Sequence, residues 1–372
     1  MRIFLHTAIL AALAGMASLA ASVAPEAREH EWSKSHTRLK VHPAPDDSLT
    51  LYFIGDVMMH SAQIGKPLGP FLSSLGERAA KADVAVANME FTLAGKPHTG
   101  YPSFSAPDSV ADYMAGLGFN IFLCANNHIL DKGAKGLRRT ISVYEGLKNI
   151  QYTGVSSSEE ERQKLYPLII RKNGIRVALL NFTYGTNLAP GEGWPKVNYL
   201  DRNEIPEAVR RAKDAGCDLI IALPHWGEEY RLKHSRKQEE TARMLAESGI
   251  DLIIGSHPHV VQDSCSIKTS DGRKVPVYYS LGNAVSNMSA INTRMGLGVK
   301  LTVKKNFYKK ELSFGTDAEF IWCTRPGSLI NNFKTILVNE YIGRRNEWLL
   351  PADYDNMIET LARVQESSGI KE

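Results

Sequence analysis

The chain has 372 residues, 43% hydrophobic and 23% charged, with a formal net charge of +4. This is ordinary globular composition, long enough for one large domain with appendages. The charge is too small and too dispersed to argue for a nucleic-acid partner; its densest cluster, Arg231 to Lys237, is interrupted by histidine and serine.

The first 24 residues read as a targeting segment. Arg2 gives a positive start, Ile9 to Leu19 an apolar core, and Ser18-Leu19-Ala20-Ala21 a small-residue cleavage site, with processing expected after Ala20 or Ala21. The alternative is an uncleaved membrane anchor, although the stretch barely reaches the roughly 20 apolar residues of a span. Residues 25–47 are polar, carry Pro43 and Pro45, and read as a linker. The expected protein is therefore secreted or periplasmic. Four irregularly spaced cysteines, Cys124, Cys217, Cys265 and Cys323, make no disulfide framework in so long a chain. Cys124 reads as a small buried side chain.

Within 48–325, strand and helix patterns alternate. Leu51 to Gly55 is an apolar strand ending in Asp56; a helix spans Leu68 to Ala82; Val84 to Ala87 is a strand ending in Asn88-Met89-Glu90. A helix from Pro107 to Leu117 leads to the strand Ile121 to Ala125, which ends in Asn126-Asn127-His128. Ala134 to Asn149 is an amphipathic helix returning to Gln151 to Val155. Tyr166 to Arg171 and Arg176 to Asn181 flank Asn173-Gly174 and predict a hairpin. A second passage repeats the alternation: helix Ile205 to Ala215, strand Asp218 to Leu223 running into Pro224 and His225, helix Lys237 to Ser248, and strand Ile250 to Gly255 running into Ser256-His257-Pro258-His259. From Val275 the pattern turns to strands, Val275 to Leu281, Gly296 to Val303 and Lys309 to Ile321. Residues 326–372 form a C-terminal extension of helical pieces, notably Tyr354 to Glu366. This order predicts an α/β fold with a parallel sheet and crossover helices.

Five apolar runs thus end abruptly in carboxylate, carboxamide or imidazole, where open α/β sheets put their ligands. Such a convergence is what a metal or catalytic site needs. In an extended His257-Pro258-His259 the two rings fall on one side of the chain and reach one metal cluster.

The blocks G-D-V-M-M-H (55–60), N-M-E (88–90), A-N-N-H-I-L-D-K-G (125–133), H-W-G-E-E-Y (225–230), G-S-H-P-H-V-V-Q (255–262) and Y-S-L-G-N (279–283) resemble the signature blocks of the CapA family. These are bacterial capsule or poly-γ-glutamate synthesis proteins within the calcineurin-like metallophosphatase superfamily. The resemblance covers about residues 48–303 and implies a four-layer α/β/β/α sandwich of two mixed sheets. It also implies two divalent ions, Mn, Fe or Zn. Asp56 would lie on the first metal, Glu90 between the two, and Asn127 on the second; His225 and His257 would join Asn127, and His259 would join Asp56. The superfamily's first block is usually D-x-H, and here Met58, a poor ligand for such ions, fills the histidine position. His60, two residues on, is either a substitute ligand, a substrate contact or an exposed loop residue. His128 is placed as general acid. Asp131 either holds its other ring nitrogen or, the reading favoured here, caps the following helix. Asn283 lines the same cleft without an assigned role.

Two functions fit. One is an extracytoplasmic metal-dependent hydrolase of a phosphoester or polymer linkage. The other is a non-catalytic factor that binds or hands over an anionic surface polymer. Membrane-bound polymer synthesis proteins are the expected partners.

Overall fold

In the computed structural model of the protein, residues 47–306 and 311–371 are described. The expected signal peptide, and the linker up to Asp46, lie outside them. In chain order, β1 (Asp47–Val57), α1 (Ser73–Lys81), β2 (Val84–Met89), α2 (Ser109–Gly116), β3 (Ile121–Leu123), α3 (Gly133–Gly146) and β4 (Gln151–Thr153) alternate. There follow β5 (Val155–Ser156), α4 (Glu159–Leu165), β6 (Leu168–Lys172), β7 (Ile175–Thr183) and β8 (Lys196–Val197). Alternation resumes with α5 (Glu204–Asp214), β9 (Leu219–His225), α6 (Arg236–Ser248) and β10 (Leu252–Ile254). The rest is β11 (Ser264–Lys268), β12 (Lys274–Tyr278), β13 (Asn283–Val285), β14 (Met295–Asn306), β15 (Glu311–Thr324), β16 (Lys334–Leu337) and α7 (Pro351–Ser368).

Two mixed sheets result. The first has the order β16-β15-β14-β1-β2-β3-β4, with β13 also paired to β1; the second has the order β11-β12-β10-β9-β7-β6. β1 to β4 run parallel, as do β7, β9, β10 and β12, so the ends of these strands open on one side. Side-chain alternation builds the layers. Leu51 and Phe53 point into a core shared with Val177, Leu179, Leu219 and Ile221 of the second sheet. Their neighbours Tyr52 and Ile54 point the other way, against Leu75, Met114, Leu137 and Ile141 of α1, α2 and α3. On the far face Ala178, Leu180, Ile220 and Ala222 pack on Ile205, Val209, Ala242 and Leu245 of α5 and α6. The architecture is the four-layer α/β/β/α sandwich.

Local chemistry sets several boundaries. Asn173 and Gly174 both have positive φ and turn β6 into β7, the geometry of a two-residue hairpin. α6 opens on a capping box between Ser235 and Gln238 and ends at Gly249. The first helix begins at Ser73 instead of Leu68, behind Gly69 and Pro70. The short strands β8 and β13 and three further elements, α4, β11 and β16, have no counterpart among the expectations. α4 buries none of its side chains and so lacks an apolar stripe, although Ser158 caps it. β11 is an edge strand with a single buried residue, Ile267. β16, in the extension expected to be helical, is a four-residue strand on β15. All four cysteines are free, and Cys124 is buried as expected. Among the described residues no helix is long and apolar enough to cross a membrane.

Candidate metal centre

The open ends of the parallel strands carry the site. Asp56 is the penultimate residue of β1, where the pairing with β2 shifts register, a bulge that re-aims a side chain. Gly55 makes room for this: a Cβ there would lie 1.9 Å from the Gly282 carbonyl oxygen, which accepts from the Asp56 N–H at 2.9 Å. Glu90 follows β2 directly, His225 ends β9, and His257 and His259 stand in the turn after β10.

Asp56, Glu90 and His225 bring ligand atoms within 4.8 Å of one another, and so do Glu90, His257 and His259. Glu90 is common to both groups. Its side chain has no exposed surface and neither carboxylate oxygen has a hydrogen-bond partner. Oε1 lies 3.7 Å from His225 Nε2 and 3.8 Å from His259 Nε2. Burial, then the neighbouring Asp56, pushes the Glu90 pKa well above the usual carboxylate range. A buried carboxylate without donors is costly unless a cation answers it.

His225 and His257 are set up as neutral donors. Burial, then His257 and His259, holds His225 well below the ordinary imidazole range. Burial, then His259, takes His257 down to about 3, and its Nδ1 is buried without a partner. Metal binding needs this uncharged form. His225 Nε2 is 2.8 Å from Asn127 Oδ1, and its Nδ1 is 3.0 Å from Ser256 Oγ. His259 Nδ1 lies 3.1 Å from Asn283 Oδ1 and 3.2 Å from Asp56 Oδ2. Donation from Nδ1, by His225 to Ser256 Oγ and by His259 to Asn283 Oδ1, would leave each Nε2 lone pair for a cation, the way a ligating imidazole is oriented by its outer partners, with Asn127 Oδ1 facing the same cation beside His225.

The His-Pro-His backbone is not extended. His257 has φ 104° and His259 φ 58°. The His257 N–H reaches Asp56 Oδ2 at 3.3 Å, and the Pro258 carbonyl accepts from Tyr230 N at 2.8 Å, so the segment closes into a turn. The rings converge through left-handed backbone instead of strand alternation. Conformations of this kind cost about 1–3 kcal/mol each and concentrate at functional sites.

His128 stands beside this cluster, with Nδ1 2.7 Å from Asp131 Oδ2 and 3.1 Å from the Asn187 amide. Asp131 Oδ2 also accepts from Phe104 N at 2.7 Å. The carboxylate is therefore turned inward and makes no cap for α3, which corrects the favoured helix-cap role. The His128 ring sits edge-on to Phe104, with centroids 4.7 Å apart. His60 also packs against Phe104, with centroids 5.4 Å apart, and stands outside both ligand groups. Its Nδ1 accepts from Asn287 N at 3.2 Å, and burial lowers its pKa to about 4. Met58 is buried in the helix-side core.

Further residues contribute: Asn88, which stood at a strand end without an assigned role, and several that escaped the strand-end reading. Asn88 donates to Asp56 Oδ1 at 2.7 Å. Tyr184 lies 4.6 Å from the His257 ring, Tyr230 is 6.4 Å from His259, and Tyr101 is 6.5 Å from Phe104, giving the mouth three exposed tyrosines. Tyr184 and Asn187 follow β7, and the rule applied to the other strand ends, extended to that run, points at them.

Residues 50–288 match the family described as "Bacterial capsule synthesis protein PGA_cap". The chain belongs to this family. Among curated members of similar sequence, the capsule biosynthesis protein CapA of Bacillus anthracis is 27% identical over 70% of this chain and 65% of its own length, so the match spans less than two thirds of that relative. The PGA biosynthesis protein CapA of Bacillus subtilis (strain 168) is 26% identical over 74% of this chain and 73% of that protein. Among solved structures, Haemophilus influenzae NAD nucleotidase (NadN) matches with a TM-score of 0.48 and 16% identity, covering 85% of this chain and 62% of that one. The PGA_cap match takes in Asp56, Glu90, Asn127, His225, His257 and His259, and thus the whole candidate ligand set.

Proposed function

We propose that this PGA_cap protein acts outside the cytoplasm as a metal-dependent hydrolase of a phosphoester or polymer linkage in cell-surface polymer metabolism. The observation that carries the reading is Glu90: a fully buried carboxylate without donors, common to two groups of ligand atoms. Asp56, Glu90, Asn127, His225, His257 and His259 would hold two divalent ions. Such ions supply Lewis-acid polarisation and a water acidified toward neutral pH, from about 15.7 to around 7 in favourable cases.

The chain's own residues supply the rest. Asp131, fixed by Phe104 N, accepts the His128 Nδ1 proton and sets the imidazole's orientation. His128 then delivers a proton from its other nitrogen to the leaving group, an assistance worth about 10²–10⁴-fold. The exposed rings of Tyr101, Tyr184 and Tyr230 offer the substrate apolar surface at the mouth.

The second reading is a binding or hand-over protein for an anionic surface polymer, and a specific feature favours it. Met58 occupies the usual histidine position and is buried in the core, so the first site has fewer nitrogen donors. The experiment is metal analysis of wild type and of the His257→Ala/His259→Ala double variant, with turnover of chromogenic phosphodiesters and monoesters under Mn²⁺. Metal in the wild type alone, together with turnover, supports the hydrolase. Bound metal without turnover under Mn²⁺, Zn²⁺ or Fe favours the binding protein, and unchanged metal in the double variant refutes the ligand set.

A further inference from the structure

A loop over residues 286–294 connects the metal centre to a second, separate cavity. At the centre, Asn287 N donates to His60 Nδ1 at 3.2 Å, and Asn283, which meets His259, donates from Nδ2 to the Thr293 carbonyl at 2.9 Å. The same loop lines a cavity of about 260 Å³ together with Arg294, Arg325, Asn356 and Thr360; Ser289 and Asn292 are the loop's polar contributions. Asn292 has φ 69°, so its side chain is presented from a left-handed turn.

Two guanidinium groups, Arg294 and Arg325, line this cavity, and a third, Arg363, is bonded to its wall. Arg294 lies 4.4 Å over the Trp322 ring and forks onto Asp353, with Nη2 2.6 Å from Oδ2, so its charge is answered. Arg325 donates from Nη2 to the Met288 carbonyl at 2.5 Å, while its Nε is buried without a partner. Arg363 of α7 donates from Nε to Asn292 Oδ1 at 2.8 Å and from Nη2 to Thr360 Oγ1 at 3.3 Å, both cavity residues. Among the described residues neither Arg325 nor Arg363 has a carboxylate within 4.0 Å. Among the described residues Asp353, paired with Arg294, is thus the one carboxylate within 4.0 Å of these guanidiniums. Burial, then Arg294, accordingly lowers the pKa of Arg325.

Half-buried charges of one sign call for a counter-charge. Guanidinium forks match oxyanions in geometry and bind them more strongly than neutral acceptors. We propose that this cavity binds an oxyanion, a phosphate or carboxylate group, next to the metal centre and independently of the metals. Ser289, Asn356 and Thr360 supply neutral hydrogen-bonding groups around it. The site stands whether or not the metal centre is catalytic. If the hydrolase reading holds as well, it would seat a charged group of the same substrate one loop away from the reacting bond.

The test is calorimetric titration of the purified, chelator-stripped protein with inorganic phosphate and, separately, with a γ-linked glutamate tetramer. Stripping removes any phosphate binding that depends on metal. One saturable equivalent of either ligand is expected, phosphate alone marking a phosphate site and the peptide alone a carboxylate site. Arg325→Gln should weaken binding at least tenfold and Arg363→Gln several-fold. A role confined to stapling α7 would move the melting temperature of these variants without any anion binding to lose. Should Arg325→Gln fail to fold, Arg363→Gln and Asn356→Ala carry the comparison. Absence of saturable binding by both ligands overturns the proposal, as does binding undiminished in the arginine variants.

Discussion

Replacing Glu90 by glutamine should change protein stability with opposite signs in the absence and presence of metal. In the chelated protein the Glu90 carboxylate is fully buried and neither oxygen finds a donor. An unsatisfied buried polar group costs about 1–3 kcal/mol, and a charged one more. Glutamine keeps the shape, removes the charge and offers donors toward Asp56, so under chelator Glu90→Gln should equal wild type or exceed it by up to about 3 kcal/mol. Burial and Asp56 raise the folded-state pKa above the ordinary 4.5. The contribution of this group is therefore complete below that value and is lost as pH rises, so the variant's advantage should widen from pH 4.5 upward. Mn²⁺ at a hundred times its Kd should add about 2.7 kcal/mol to wild type. Over about 320 described residues, with roughly 2.1 cal/mol/K of unfolding entropy per residue, that is a rise of ~4 °C. Glu90→Gln should gain much less. The assay is thermal denaturation followed by circular dichroism with EDTA and then with Mn²⁺. A variant melting several degrees below chelated wild type at neutral pH would refute the reasoning, and so would a wild type that Mn²⁺ leaves unmoved.

His128→Ala should keep its metal and lose about 10²–10⁴-fold in kcat on esters with basic leaving groups, but far less on nitrophenyl esters. Metal release as easy as that of Asn127→Ala would contradict the division of roles. Asp353→Ala strands the half-buried Arg294 and removes the acceptor of the buried Ser328, at an expected cost of about 3 kcal/mol. The check is a lower urea midpoint at unchanged slope; a midpoint equal to wild type would show the pair to be dispensable. Mass spectrometry of the protein from its native host should find a mature N-terminus after Ala20 or Ala21, and an intact Met1 on a cytoplasmic protein contradicts the signal-peptide expectation.

The sheets and the positions of the ligand types were legible because both follow from one signal. A buried parallel strand reads as an unbroken apolar run, and the residue at which the run stops is the residue at the open edge. Asp56, Glu90 and His225 are of this kind. Asn88 and Ser256 were visible as strand-end residues, but their roles were not, because each depends on a partner far along the chain: Asn88 bonds Asp56, and Ser256 bonds His225. The turn at His257 was misread for a different reason. Nothing local demands φ 104° of a histidine before proline; contacts to Asp56 and Tyr230 impose it. Asp131 carries the same lesson, since a carboxylate just before a helix ordinarily serves that helix, and here two inward donors outbid it. Short or one-sided elements such as β16 and α4 leave too few buried residues to show a period.

The candidate ligands are spread along the chain, with Asp56 meeting the backbone of His257 across 201 residues of sequence. Asp56, Glu90 and Asn127 follow strands of one sheet, whereas His225, His257 and His259 follow strands of the other. Contacts of such long sequence separation form late, after loop-closure entropy has been met. A nascent chain that had emerged only through α4 would present two carboxylates and an amide but no histidine of the set. Ions would then be retained only once both sheets had docked, so metal retention would report completion of folding, and a protein of this build would acquire its ions where folding finishes.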